Sequence, residues 1–242
     1  MQIKRIHFET IDSTNNWAKA HTAELDPMAL TLITADEQTA GRGRFTRSWS
    51  SPKKCNILAT FVFFLEHLRD DIGNIPQILA LSALQSLKES RLPLKIKWPN
   101  DINLYEKKLG GILCEISQTN SHWGVIAGIG LNINMPQESL KKIDLPAASL
   151  FSETGQSWDL EALTHQLSTQ FEENLTTFLK EGFAPFYPLF IQALLHQKND
   201  SLRFHDFQKI IEGKFSQINP DGSLNLILPD GTPKRCTSGE LI

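Results

Sequence analysis

Several features that define other protein classes are scarce or missing in this sequence. Its 242 residues hold three cysteines, Cys55, Cys114 and Cys236. They lie far apart, without Cys-x-x-Cys spacing or partner histidines, which argues against a zinc site or a redox pair. An odd number of cysteines suits a reducing compartment. No apolar run approaches the ~20 residues a membrane helix needs, and the N-terminal residues contain no signal-peptide hydrophobic region. A cytoplasmic chain without a membrane partner is therefore expected. Positive charge is not in excess either: the net charge is −3, which does not fit a protein that coats nucleic acid. No Gly-Lys-Ser/Thr follows the glycines and no GxGxxG opens a helix, so the nucleotide-binding folds with those signatures are poor candidates.

What is present is concentrated. Gly41-Arg42-Gly43-Arg44-Phe45-Thr46-Arg47-Ser48-Trp49 puts three arginines, two glycines and a tryptophan into nine residues. Glycines let backbone N–H groups approach an anion closely, and guanidinium forks match carboxylate and phosphate oxygens. A solvated basic loop is the bland alternative. The flanks argue against it, because Leu30–Ala35 and Asn56–Phe64 read as core strands that would hold the loop in place.

The composition, 40% hydrophobic and 21% charged, is ordinary for a globular protein. A first strand over Ile3–Phe8 runs into Asp12-Ser13-Thr14, three helix-capping residue types, before a helix from Asn15. The spacing of Ile75, Ile78, Leu79, Ala83, Leu84 and Leu87 predicts a core helix over 74–91, with Pro76 near its start. Strands follow at 94–98, 102–105, 109–115 and 123–134, the last rich in glycines that invite close approach. Helices are expected over 158–180 and 185–196. From Lys198 the period drops to two, with Pro220-Asp221-Gly222 and Pro229-Asp230-Gly231 as hairpin turns, which predicts a small β-barrel. The boundary is placed so that residues 1–197 form one domain and 198–242 another.

Taken singly, Lys97-Trp98-Pro99-Asn100-Asp101, Lys108-Leu109-Gly110-Gly111-Ile112-Leu113-Cys114-Glu115 and Gly128-Ile129-Gly130-Leu131-Asn132-Ile133-Asn134 could be a turn, a hairpin and a crowded strand. Together, in order, with Ser13-Thr14-Asn15 and the arginine-glycine loop, they resemble the biotin-protein ligases, over about residues 8–241. The resemblance implies an α+β fold: a catalytic domain like that of class II aminoacyl-tRNA synthetases and lipoate ligases, then an SH3-like barrel. It also implies a two-step reaction. Biotin attacks the α-phosphorus of ATP to give biotinyl-5′-AMP, and a lysine of a biotin carboxyl carrier domain of acetyl-CoA carboxylase or a related carboxylase then takes the biotinyl group. Such chemistry needs no enzyme nucleophile, in keeping with the lack of a Ser-His-Asp or Cys-His pattern.

By resemblance, Lys108, Arg44 and Asp101 are the catalytic candidates. Ser13, Thr14, Asn15, Gln38, Gly41, Arg42, Arg44, Lys108 and Gly111 would meet biotin. Arg42, Arg44, Arg47, Trp49, Lys108 and Asn132 would meet the nucleotide, and Asp101 would hold Mg²⁺. The polar loop 39–51 is expected to order over the ligand. Thr46 departs from the family pattern, which has glycine there. Three other readings compete. One is a lipoate-protein ligase and another a non-catalytic biotin-binding protein. The third, a biotin-responsive DNA-binding protein, is disfavoured because the catalytic motifs begin by residue 13. A monomer and a homodimer are both compatible with the sequence.

Overall fold

A computed structural model of the chain describes residues 1–44, 47–119, 121–206 and 208–242. The main sheet is built from β1 (Gln2–Phe8), β2 (Ala29–Ala35), β3 (Asn56–Leu65), β4 (Leu94–Lys97), β5 (Asp101–Leu104), β6 (Lys107–Gln118) and β7 (Trp123–Asn132). These seven strands run in the order β1-β2-β3-β7-β6-β5-β4. Only β1 and β2 are parallel; every other neighbouring pair is antiparallel, so the sheet is mixed.

The helices are α1 (Thr14–His21), α2 (Ile75–Ser86), α3 (Gln137–Leu140), α4 (Leu150–Thr154), α5 (Leu160–Glu181) and α6 (Tyr187–Ala193). One sheet face carries Phe61, Phe63, Val125, Ala127, Ile129 and Leu131, and packs on α2 and α5. α5 buries a stripe of Leu163, Leu167, Phe171, Leu175 and Phe178 at spacings of three and four. Its first turn is capped by Asp159, whose carboxylate accepts from the Glu161 and Ala162 amides at 2.9 and 3.1 Å.

α2 differs from the one-faced helix its sequence predicts. Nine of its twelve residues are buried, because α5 covers it on one side and a turn of the C-terminal sheet on another. Asn174 of α5 donates to Ser82 Oγ, and Gln77 Nε2 donates to the Gly222 carbonyl, both at 2.9 Å. α2 also ends earlier than the predicted 74–91, at Ser86; a 3₁₀ turn follows at Lys88–Ser90, and Arg91 takes a left-handed φ of 56°.

The second sheet contains β8 (Ser201–His205), β9 (Ile210–Ile218), β10 (Leu224–Ile227), β11 (Pro233–Cys236) and β12 (Glu240–Leu241), in the order β11-β10-β9-β8-β12. All its pairings are antiparallel. Its inward residues, among them Phe204, Phe215, Leu224 and Leu226, join the main core. The turn at Asp221-Gly222 reaches across to the large sheet: Trp98 Nε1 donates to the Gly222 carbonyl at 3.0 Å, and Asn74 Nδ2 donates to that of Asp221 at 2.9 Å. Gly222 has φ +78°, and a Cβ there would stand 2.2 Å from Gln77 Oε1. Among the described residues no helix is long and apolar enough to cross a membrane.

Candidate active site

The other face of the main sheet is built very differently. Strand register aligns Asp101 with Gly111 and Gly111 with Gly130, and the next row aligns Leu113, Gly128 and Thr60. With glycine at both Gly128 and Gly130, the centre of β7 presents bare backbone on this side, and neighbouring elements fill the space. A Cβ on Gly128 would lie 2.0 Å from Asn15 Oδ1, and one on Gly130 would lie 2.5 Å from the Trp49 indole. The strand is flat here so that side chains from α1 and from the arginine loop can lie against it.

A cavity of about 730 Å³ opens on this face. Its lining includes Ser13, Thr14, Asn15, Gln38, Arg42, Arg44, Arg47, Trp49, Asp101, Lys108, Gly111 and Asn132. Of the residues expected from the sequence, Gly41 alone does not line it. Gly41 is buried just behind, its carbonyl accepting from the Trp49 amide at 2.8 Å and its Cβ position blocked by the Trp49 carbonyl. Thr46 lies outside the described residues.

At one end, the N-terminus of α1 enters a buried hydrogen-bond network. Ser13 is the N-cap, accepting from Asn16 N at 3.4 Å. Thr14 donates through both its amide and its hydroxyl to Gln38 Oε1, at 2.8 and 3.0 Å. The fully buried Thr60 hydroxyl lies 2.8 Å from Thr14 Oγ1 and 2.7 Å from Asn15 Oδ1. Asn15 Nδ2 reaches the Leu113 carbonyl at 3.1 Å and Glu115 at 3.3 Å. The bonds linking Thr14, Asn15, Gln38 and Thr60 hold this pocket wall in place before any ligand arrives.

The charged groups converge on the same cavity. Arg42 forks onto Glu115 at 3.1 and 3.2 Å and also donates to Asn16 Oδ1 at 2.7 Å. Burial raises the Glu115 pKa, but the bonds from Arg42 and Asn15 and the Lys19 ammonium outweigh it, leaving the carboxyl below its ordinary value. Arg44 donates to Asn100 Oδ1 at 3.1 Å, and Asn100 is held by the Ile112 carbonyl. Burial lowers the Arg44 pKa, with Glu240 and Asp101 opposing it; a guanidinium still keeps its proton from so high a starting point. Lys108 Nζ donates to Asp101 Oδ1 at 2.7 Å, each side chain about a quarter exposed. Arg47 pairs with Glu240 of β12, so the last strand closes part of the rim.

Cations held by partial partners around such a cavity can receive an anionic ligand. Asp101 offers a carboxylate for a hydrated cation, yet among the described residues there is no group of three or more acidic, His or Cys side chains able to cage a metal. A single carboxylate of this kind fits a magnesium ion that would be held mainly by phosphate oxygens and water. The sequence reading missed Thr60, Asn56 and Glu240. The first two are polar residues inside the apolar run Asn56–Leu65, a signal that was available. Glu240 has no local signal at all.

The chain belongs to the biotin/lipoate A/B protein ligase family, whose model matches residues 7–132. It is 30% identical over 237 residues to the bifunctional ligase/repressor BirA of Bacillus subtilis, covering 95% of this chain and 71% of that protein. It is 32% identical over 180 residues to the biotin-[acetyl-CoA-carboxylase] ligase of Paracoccus denitrificans, covering 72% of this chain and 74% of the relative. Among solved structures, the biotin protein ligase from Aquifex aeolicus in complex with biotin and ATP superposes with a TM-score of 0.81 at 29% identity, over 99% of this chain and 97% of that one.

Proposed function

We propose that this protein is a biotin-protein ligase, which activates biotin with ATP to biotinyl-5′-AMP and transfers it to a lysine of a biotin carboxyl carrier domain. The observation that carries the reading is the convergence of Arg44, Lys108 and Asp101 on one cavity with the Thr14–Gln38–Thr60 network. Biotin needs an apolar slot with a few fixed polar contacts for its ureido end and a cation for its carboxylate. Ser13, Thr14, Asn15 and Gln38 supply the polar contacts for the ureido end, and Arg42, Lys108 and the backbone at Gly111 border the path of the tail. Arg44, Arg47, Trp49 and Asn132 are left for the nucleotide.

In the first step two anionic groups must meet, biotin's carboxylate and the α-phosphate. Lys108 and Arg44 lower that repulsion and stabilise the charge that builds between the reacting oxygens and phosphorus. Asp101 is the residue that would help hold a magnesium ion brought in with ATP, which would neutralise part of the phosphate charge. In the second step Lys108 stabilises the phosphate leaving from the mixed anhydride, and Asp101 accepts a proton from the incoming lysine. The acceptor lysine's nitrogen forms the new amide bond and AMP departs.

This reading places the large sheet with the class II aminoacyl-tRNA synthetase-like domains and the residues from 198 onward with the SH3-like barrels. The three free cysteines are in keeping with a reducing, cytoplasmic setting. The test is ATP-dependent transfer of labelled biotin to a purified biotin carrier domain, with lipoate as competitor. Transfer that lipoate does not diminish is expected. Preferential adenylation of lipoate would replace biotin as the substrate, and tight biotin binding without transfer would reduce the protein to a binder.

A further inference from the structure

Asn56 opens β3 directly opposite Asn132, the last residue of β7, and both side chains are buried, at 4% and 2% exposure. Asn56 Oδ1 accepts from the Ile133 amide at 3.0 Å. A backbone N–H can only donate, so this bond fixes which end of the Asn56 amide is oxygen. Its nitrogen must then face Asn132, and Nδ2 donates to Asn132 Oδ1 at 3.1 Å, with Met135 Sδ at 3.6 Å on its other side. The Asn132 amide is thereby oriented in turn. Its oxygen accepts from Asn56, and among the described residues nothing accepts from its Nδ2, while Asn132 lines the cavity.

We propose that Asn56 is a positioning residue for recognition of the ATP base: by holding the Asn132 oxygen it presents the Asn132 NH₂ to the cavity as a donor. Asn132 Nδ2 then donates to an acceptor ring nitrogen of adenine. The inference rests on the reading that this part of the cavity holds the nucleotide. It assigns a direction to the contact, and it places the control of that direction in a residue that does not line the cavity.

The experiment measures KM for ATP and for biotin, and kcat, in the wild type and in Asn132→Ala, Asn56→Asp and Asn56→Ser. ATP is compared with its 1-deaza, 3-deaza and 7-deaza analogues. In Asn56→Asp one carboxylate oxygen still accepts from Ile133, and the other can only accept from Asn132, which turns its own oxygen toward the cavity. Asn56→Ser removes the hold without adding a buried charge, and circular dichroism confirms that each variant is folded. The expected result is a KM for ATP raised about tenfold in both Asn56 variants, the order of one lost hydrogen bond with a donor left unpaired. The KM for biotin stays unchanged. One deaza analogue should be poor for the wild type, and its disadvantage should vanish in Asn56→Asp.

Failures at the two levels look different. An unchanged KM for ATP in Asn132→Ala would remove Asn132 from the nucleotide site and the proposal with it. A raised KM in Asn132→Ala with wild-type values in both Asn56 variants would keep the nucleotide site and overturn the positioning role. Equal loss of ATP and biotin affinity in folded Asn56 variants would also overturn it, since that pattern belongs to general disruption of the sheet.

Discussion

Replacing Lys108 by glutamine should separate what this residue does for the fold from what it does for the reaction. Its backbone is held without help from the side chain: the Lys108 amide donates to the Pro146 carbonyl at 2.8 Å, and the Ala148 amide donates to the Lys108 carbonyl at 2.9 Å. The ammonium rests above Gly111, where a Cβ would come within 3.1 Å of Nζ, and it meets Asp101 Oδ1 at 2.7 Å. Since both partners are about a quarter exposed, losing the pair should cost stability about 1 kcal/mol or less. The loss in the transition state is larger. A preorganised cation or donor aimed at developing negative charge contributes roughly 3–4 kcal/mol, so biotinyl-5′-AMP formation should slow about 10²–10³-fold. Biotin-dependent pyrophosphate release reports the first step, and transfer from preformed biotinyl-5′-AMP to a carrier domain reports the second. Thermal unfolding supplies the fold control. Both rates should fall while the unfolding midpoint moves by a few degrees at most. Pyrophosphate release within fivefold of wild type, in a protein of unchanged stability, would refute the argument that this ammonium stabilises the reacting phosphate.

Thr60→Val keeps the shape of the side chain and removes the hydroxyl that meets Thr14 and Asn15. It should weaken biotin binding about tenfold by calorimetry, in the range of one buried polar group left unpaired, and leave the KM for ATP as it was; equal effects on both ligands would argue against a biotin-side network. Gly128→Ala places a methyl 2.0 Å from Asn15 Oδ1, an atom already held by Thr60, so it should cost about 1–3 kcal/mol in urea unfolding and abolish biotin binding; a variant with wild-type affinity would mean that α1 yields freely. Among the described residues nothing pairs with the buried His196 Nε2, and burial, followed by the nearby Lys97, lowers its pKa from 6.5, while Asp200 and Glu106 oppose this. A histidine depressed in the folded state takes up its proton more readily when unfolded, so its stabilising contribution is complete above pH 6.5. That contribution fades as pH falls through and below this value, and His196→Gln should show a shallower loss of urea midpoint between about pH 7.5 and 5.5. Parallel slopes for the two proteins would exclude His196 as the titrating group.

The parts of the site that sit within short stretches of chain were legible in the sequence. Arg42, Arg44 and Arg47 announce themselves by density, and Lys97–Asp101 with Lys108–Glu115 supply segments whose polar residues Lys97, Asn100, Asp101 and Lys108 line the cavity. The sheet strands were also readable, because their buried faces give continuous apolar runs. What escaped depends on register between strands distant in sequence. Thr60 matters because it stands opposite Gly128, and Asn56 because it stands opposite Asn132; nothing local to either residue specifies that partner. Glu240 reaches Arg47 across 193 positions of chain. The extra burial of α2 has the same origin, since the turn that covers Gln77 lies some 145 residues away.

The bare centre of β7 has a consequence for how this protein tolerates change. Its side chains alternate: Val125, Ala127, Ile129 and Leu131 face the main core, while Gly128 and Gly130 lie beneath Asn15 and Trp49. At the core-facing positions a similar hydrophobe can often be exchanged for modest cost, whereas at the two glycines every possible side chain is larger and meets an atom already in place. A saturation-mutagenesis profile read along this strand should therefore show a two-residue rhythm, with its sharpest intolerance where the wild-type residue has no side chain to lose.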